Sequence, residues 1–448
     1  MSRFAKTCFP VLATRGRPAI VHLPLLAVRR VAASSASVGA VFANANLRRL
    51  ELAWAGSACG SWAYTVALAL FAYRAGGAAA VGLVGLLRFL PAAVAAPFLA
   101  LLADRYPRRY ILLAADLGRA LAMVAVALAV LLVLPPALVY TLACSNSLLS
   151  AAFRPAEAAL VPTLAKSEGE VQAANVVAST IDSVAAFAGP ALAGLLLATS
   201  GASVVFLASA ATFLWSASLV KRIGKEPDGA AEPGGRDGRA VGAALAGFRT
   251  LAHAAHLRLV LALYAAVCLV FGALGVFTVV TALEVLRLGD GGVGYLTAAL
   301  GVGGLVGALV ALLVEGRALR LAFPLGVVVY GAPLVFLGLW PDEALVPLLL
   351  AAVGLANTVV DVAAFTLFQR MVAASVLARV FGVLDGLTVA LMALGAVLAP
   401  LAIEALGVRG ALVAFGLVPP AAVALAWGRV TAIGAPRQAL PAASAVTR

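Results

Sequence analysis

The chain has 448 residues, 64% hydrophobic and only 11% charged, with a mean hydropathy of +1.07 and a formal net charge of +13. Soluble globular proteins carry about a quarter charged residues, so this composition excludes a water-soluble domain and makes lipid the solvent. A bilayer core about 30 Å thick takes roughly 20 apolar residues per helix, and charge-poor runs of that length recur along the chain.

Residues 1–46 carry six Lys or Arg and no acid, with a weak apolar patch broken by His22 and Pro24. They read as a disordered cytoplasmic lead, with a cleaved signal peptide or a mis-assigned start as alternatives. Twelve spans follow, at 47–73, 81–103, 110–133, 137–155, 173–199, 202–220, 258–286, 292–314, 319–340, 345–368, 380–404 and 410–428. Backbone groups in lipid must bond within their own segment, and these runs far exceed a barrel strand of about 10 residues, so the fold class is an all-α membrane protein. The polar stretch 223–257 is the one clear linker. It separates a first six-helix bundle, 47–222, from a second, 258–430, with a cytoplasmic tail at 431–448. Internal repetition agrees: Leu101-Leu102-Ala103-Asp104 returns 211 residues later as Leu312-Leu313-Val314-Glu315, and Asn146 and Asn357 share that offset. Two pseudo-symmetric parallel repeats follow from it.

Charge placement sets the orientation. With the N-terminus in the cytoplasm, 27 of the 32 Lys and Arg fall inside and only Arg74, Arg287 and Arg409 outside, which is the positive-inside bias. Both termini are expected in the cytoplasm, and the net charge needs no nucleic-acid partner. Arg outnumbers Lys 28 to 4, a weak hint of a bacterial source and so of the bacterial plasma membrane. Cys8, Cys59, Cys144 and Cys268 have no paired spacing, and His22, His253 and His256 lie outside the spans. No metal site or disulfide framework is indicated. There is no Gly-x-x-x-x-Gly-Lys-[Ser/Thr] loop for ATP, and no catalytic constellation, so neither a cofactor nor an enzyme is expected.

A charge near the bilayer centre costs about 2.5 to 3.5 kcal/mol, so each intramembrane ion needs a reason. Asp116 and Arg119, three apart on one helix, suit a local ion pair. Arg88 in the second span serves either as a snorkelling anchor or as a ligand contact. Asp361 in the tenth span lies one turn from Asn357 on the same face. It reads as a proton or cationic-substrate site, or as a structural charge. Asp182 and Asp385 read as further acid candidates or as carboxylates favoured by a helix N-terminal dipole. Trp62, Tyr64, Asn146 and Ser150 offer aromatic and polar surface to a cavity, or ordinary helix contacts.

The turn Leu101-Leu102-Ala103-Asp104-Arg105-Tyr106-Pro107-Arg108-Arg109 resembles the loop between the second and third helices of major facilitator superfamily transporters, usually Gly-x-x-x-Asp-Arg-x-Gly-Arg-Arg. Ala100 and Pro107 replace its two glycines. Leu47-Arg48-Arg49-Leu50, Gly60-Ser61-Trp62, Phe153-Arg154-Pro155-Ala156 and Arg379-Val380-Phe381-Gly382 are similar to bacterial exporters of the enterobactin and macrolide efflux branch. Ala188-Gly189-Pro190-Ala191-Leu192-Ala193-Gly194 resembles the Gly-Pro-x-x-Gly-Gly motif of drug/proton antiporters. The resemblance implies a twelve-helix secondary transporter with spans one, four, seven and ten around a central cavity. It implies gating by Asp104, Arg105, Arg108 and Arg109 with Arg379 as partner, and an antiporter-like role for Gly189, Pro190 and Gly194. The resulting expectation is a monomeric exporter of a small amphipathic molecule, drug or siderophore, coupled to proton entry. An importer, a lysolipid flippase or a transport-dead sensor of the same fold are the alternatives.

Overall fold

The computed structural model describes residues 39, 41–224, 255–313, 318–372 and 374–430. Among them are ten helices long and apolar enough to cross a membrane. In chain order these are α1 (Ala45–Arg105), α2 (Arg108–Leu131), α3 (Pro136–Leu164), α4 (Glu168–Thr199), α5 (Ala202–Val220), α6 (Ala255–Val280), α7 (Asp290–Leu313), α8 (Ala318–Leu339), α9 (Leu345–Met371) and α10 (Ala374–Leu425). A π-turn, Thr281–Val285, continues α6, and a last short helix covers Trp427–Val430.

Two of the ten are hairpins. In α1 the helix breaks at Gly76 and Gly77, the latter at φ 63°, ψ −157°, a region in which a Cβ clashes with the backbone and which is therefore essentially glycine's. Arg88 Nη2 then donates to Thr65 Oγ1 at 3.0 Å; in a straight helix those residues would lie roughly 35 Å apart. In α10 the break is Gly407, at φ 70°, ψ 168°. Gly395 before it packs on the Leu269 carbonyl of α6, while Phe415 after it stacks edge-on with Phe277, 5.2 Å between centroids. Positions about 30 Å apart on a straight helix thus meet residues only about 12 Å apart on α6, so α10 also folds back. The ten helices comprise twelve apolar limbs.

Every positive-φ position among the described residues, Gly77, Val133, Gly201, Arg287, Gly289 and Gly407, lies in a connection at one end of the bundle, the tight-turn end. The opposite end, called the linker end, carries 106–107, 165–167 and the connection between α5 and α6. Sequence chemistry shapes this end locally. Ser167 Oγ caps α4 by accepting from Glu170 N at 3.2 Å, and Glu170 Oε2 accepts from Lys166 N, just before the cap, and from Asn44 Nδ2. Asn44 also caps α1, its Oδ1 accepting from Asn46 N. Ordered packing therefore begins before residue 47, and Val41 is already buried. The expected lead of 1–46 is shorter by these few residues, and 1–38 and 431–448 lie outside the described residues.

Helices α1 to α5 pack together, as do α6 to α10, giving two bundles. They meet where glycines let backbones touch, which substitutes for the hydrophobic drive that lipid does not provide. Gly194 of α4 faces Gly291 and Gly294 of α7, and Gly82 of α1 faces Ala396 and Pro400 of α10. Both crossings lie in the tight-turn half. One apolar core there runs through both bundles, including Leu68, Phe206, Phe277 and Leu412. At the linker end the first bundle has a separate core, with Leu50, Leu112, Phe153 and Val220. Among the described residues, the apolar core is shared between the bundles at the tight-turn end and not at the linker end.

Candidate functional site

In the first bundle the polar residues of α1, α2 and α5 close on themselves. Arg119 and Asp116, 2% and 0% exposed, pair at 3.4 Å. Arg119 Nη1 donates to Ser57 Oγ at 2.7 Å and Nη2 to Ser61 Oγ, while Ser57 and Ser216 donate to the two Asp116 oxygens. The guanidinium also lies over Phe213, 3.9 Å from its centroid. The spacing of Asp116 and Arg119 predicts the ion pair; the serines that satisfy it come from other helices and are not legible in it. Ser61 thus accepts from the buried Arg.

Arg88 does not snorkel to a membrane surface. It turns toward the first limb of α1, bonding Thr65 with its carbon centre 5.5 Å from the Tyr64 centroid. Tyr64 and Asn146 are buried, at 1% and 2% exposure, and Tyr64 donates to the Ala143 carbonyl at 3.4 Å. They join α1 to α3 rather than line open space. Trp62 is half-buried against Gly189, and Ser150, also half-buried, bonds back to the Asn146 carbonyl.

The second bundle places an acid differently. Asn357 Nδ2 donates to Asp361 Oδ2 at 3.0 Å on α9, and the Tyr264 hydroxyl of α6 lies beside the same carboxylate. Cys268, one turn along α6, lies near Tyr264 and Thr388 of α10. No described Lys or Arg pairs with Asp361. Phe365, the next turn of α9, meets Tyr264 edge-on at 6.1 Å and lies parallel to Phe381 of α10 at 5.4 Å. Sequence reading finds Asp361 and Asn357 from their spacing; Tyr264, Phe365 and Phe381 are missed, since aromatics in apolar helices carry no signal until helices are placed side by side.

Two polar contacts cross between bundles at the tight-turn end. The Tyr73 hydroxyl donates to Glu284, set in the π-turn after α6, and Arg74 pairs with Asp290 at the start of α7. Neither was anticipated. Two further acids, Glu51 and Glu157, are buried at 0% and 3% exposure near the linker end; an acid within an apolar run was the signal that could have found them.

The remaining expected residues scatter. Gly189 and Gly194 bring α4 against α1 and α7 respectively, with the Pro190 carbonyl beside Gly294, so the antiporter-like motif forms helix crossings. Arg109 donates to the Lys221 carbonyl, tying the α1–α2 connection to the end of α5. The side chains of Asp104, Arg105 and Arg379 lie outside the described ones. Asp182 and Asp385 lie 14 and 11 residues inside α4 and α10. A helix dipole acts within the first turn, so that expectation fails; in α4 the first turn is occupied by Glu168 and Glu170. No cluster of metal-ligating side chains occurs among the described residues.

Two helical bundles joined at glycine crossings, with polar residues enclosed between spans, define the architecture of a secondary transporter. Residues 52–321 match the Major Facilitator Superfamily, and the chain belongs to that family. The uncharacterized MFS-type transporter YfiS of Bacillus subtilis (strain 168) is 34% identical over 131 residues, 29% of this chain and 30% of that protein; the chain thus matches less than a third of the relative's length. Among solved structures, the nucleoside transporter NupG superposes with a TM-score of 0.69 at 12% identity, covering 87% of this chain and 99% of its own. A bacterial homolog of the human lysosomal transporter Spinster, inward-facing and unoccupied, gives 0.64 at 14%, covering 86% and 97%. The human organic anion transporter MFSD10 gives 0.61 at 15%, covering 84% and 99%. At these identities the likeness is one of fold.

Proposed function

We propose that this transporter is a proton-coupled exporter of a small amphipathic molecule of the drug or siderophore class, in the branch of the enterobactin and macrolide efflux proteins. It works as a monomer in the bacterial plasma membrane with both termini cytoplasmic. One observation carries the reading: among the described residues Asp361 has neutral partners and no cation inside the second bundle. An intramembrane acid is retained against its insertion cost for a use, and one without a cation partner can release and take up a proton without breaking a structural ion pair. The 27-to-3 division of basic residues puts the linker end in the cytoplasm. The separate core of the first bundle there fits a state open to the cytoplasm, in which an exporter loads. Asp104 with Arg379 closes that end in the opposite state.

Everted membrane vesicles test the reading. Wild type should concentrate one or more dyes of an amphipathic panel when the lumen is acid, and Asp361→Asn should lose this concentrative uptake while retaining downhill exchange. Full concentrative uptake by the variant would remove Asp361 from coupling. Movement outward from such vesicles would make the protein an importer.

A further inference from the structure

We propose that Arg287 and Arg409 bind the phosphodiester of a phospholipid headgroup in the leaflet at the tight-turn end. Of the 32 Lys and Arg, only Arg74, Arg287 and Arg409 lie at that end, against the bias that places basic residues on the other side. Arg74 is accounted for by its pair with Asp290. Arg287 and Arg409 make no ion pair among the described residues. Instead they line one open cavity of about 520 Å³, formed where the connection after α6 meets the bend of α10. The backbone marks the same place. Arg287 sits at φ 53°, just past the π-turn, in the left-handed conformation with which glycine or asparagine ordinarily ends a helix. Bonds from Leu286 N to the Thr281 carbonyl and from Leu288 N to the Ala282 carbonyl hold it there. A cationic side chain kept where glycine would be relaxed is strain of the kind that collects at binding sites.

The lining selects the ligand. Guanidinium forks match phosphate oxygens, and Glu284 is the acid of the same cavity. Two arginines less one carboxylate leave a single positive charge, which a phosphodiester balances; a phosphomonoester, at about −1.5 to −2 near neutral pH, exceeds it. Val285, Leu406 and Val408 add an apolar wall, suited to the glycerol and first methylenes of a lipid. The level is that of the headgroups. Gly338 of α8 packs on the Arg409 carbonyl, and Trp340, two residues further on, is 68% exposed, as tryptophans at a membrane–water boundary are. Glu284 also accepts from Tyr73, so the site borders a contact between the bundles.

The test melts full-length, delipidated protein in a nonionic detergent against three ligands. These are dihexanoylphosphatidylglycerol, dihexanoylglycerol, which has the chains without the phosphate, and glycerophosphoglycerol, which has the diester without the chains. A ligand that binds the folded state raises the melting temperature by an amount that yields its Kd. Wild type should respond saturably to the phospholipid, more weakly to glycerophosphoglycerol and not to dihexanoylglycerol. Arg287→Gln and Arg409→Gln should each weaken phospholipid binding roughly 10-fold, and lysine at either position should recover part of it, since the charge returns without the fork. Arg287→Gly should melt higher than wild type without ligand, its backbone relaxed, yet lose the response. If a glutamine variant does not fold, the lysine variant at that position decides. An equal response to dihexanoylglycerol, or an unchanged response in the Arg287→Gln, Arg409→Gln double variant, overturns the site. Glycerophosphoglycerol binding as tightly as the phospholipid overturns the lipid as its source and makes a soluble phosphodiester the ligand. No gradient and no transported substrate is present, so the result stands apart from the vesicle assay of proton-coupled export.

Discussion

The two bundles handle buried charge in opposite ways, although they are repeats of one architecture. In the first, Asp116 and Arg119 neutralise each other and three serines bond to them. In the second, Asp361 has the Asn357 amide and, among the described residues, no cation. A closed network fixes three helices relative to one another. An open one is free to change its charge without unlocking the fold. The difference separates a bundle whose buried charges are tied to each other from one whose buried acid has no described cation beside it.

The largest effect should come from breaking the closed network. Arg119→Leu leaves Asp116 buried and unpaired, which costs about 3 to 5 kcal/mol. Folded protein should be nearly lost by size-exclusion chromatography and thermal melting in detergent. Replacing both partners with apolar residues of similar volume should recover much of it, since a buried pair contributes little over a well-packed apolar contact. A double variant no better than the single would mean that the serine network, rather than the charge balance, holds these helices.

Next in size is the crossing that both bundles share. A Cβ on Gly294 would fall 2.3 Å from the Gly194 Cα, so Gly294→Ala forces α4 and α7 apart. Overpacking of this kind costs about 1 to 3 kcal/mol. Closure at the tight-turn end should weaken, with reduced transport and a lowered melting temperature. Wild-type behaviour in both would show that the crossing tolerates separation.

A smaller shift is expected from the exposed contacts at the tight-turn end. Glu284→Ala with Asp290→Ala removes two polar links between bundles. Exposed pairs are worth about 0 to 1 kcal/mol each, enough to move a two-state balance severalfold. Spin labels at Val176 and Leu309, exposed on the linker-end parts of α4 and α7, should show a growing short-distance population as that end closes. An unchanged distribution would exclude these contacts from setting the balance.

The smallest effect on stability should be that of Asp361→Asn. The amide keeps hydrogen-bonding capacity toward Asn357 and Tyr264 and no ion pair is broken, so the melting temperature should stay within a few degrees. A collapse like that of Arg119→Leu would erase the contrast between the bundles and make Asp361 structural.

Much of this was written in the chain itself. Apolar length and rarity of charge fixed membrane helices, because lipid solvates neither backbone nor ions. Spacing alone paired Asp116 with Arg119 and Asn357 with Asp361, since residues three and four apart share a helix face whatever surrounds it. Tertiary structure decided what those pairs meet. Ser57, Ser61 and Ser216 come from two other helices, Tyr264 and Phe381 from two more, and such meetings depend on helix rotation and tilt, which an apolar sequence pattern leaves free in lipid. Tyr64 and Asn146 turned into the bundle, and Asp182 and Asp385 proved to lie far from any helix start, for the same reason. The joining of the bundles at the tight-turn end likewise rests on backbone approach at Gly82, Gly194 and Gly294. Sequence supplies the missing side chain there, and only packing determines which backbone fills the space.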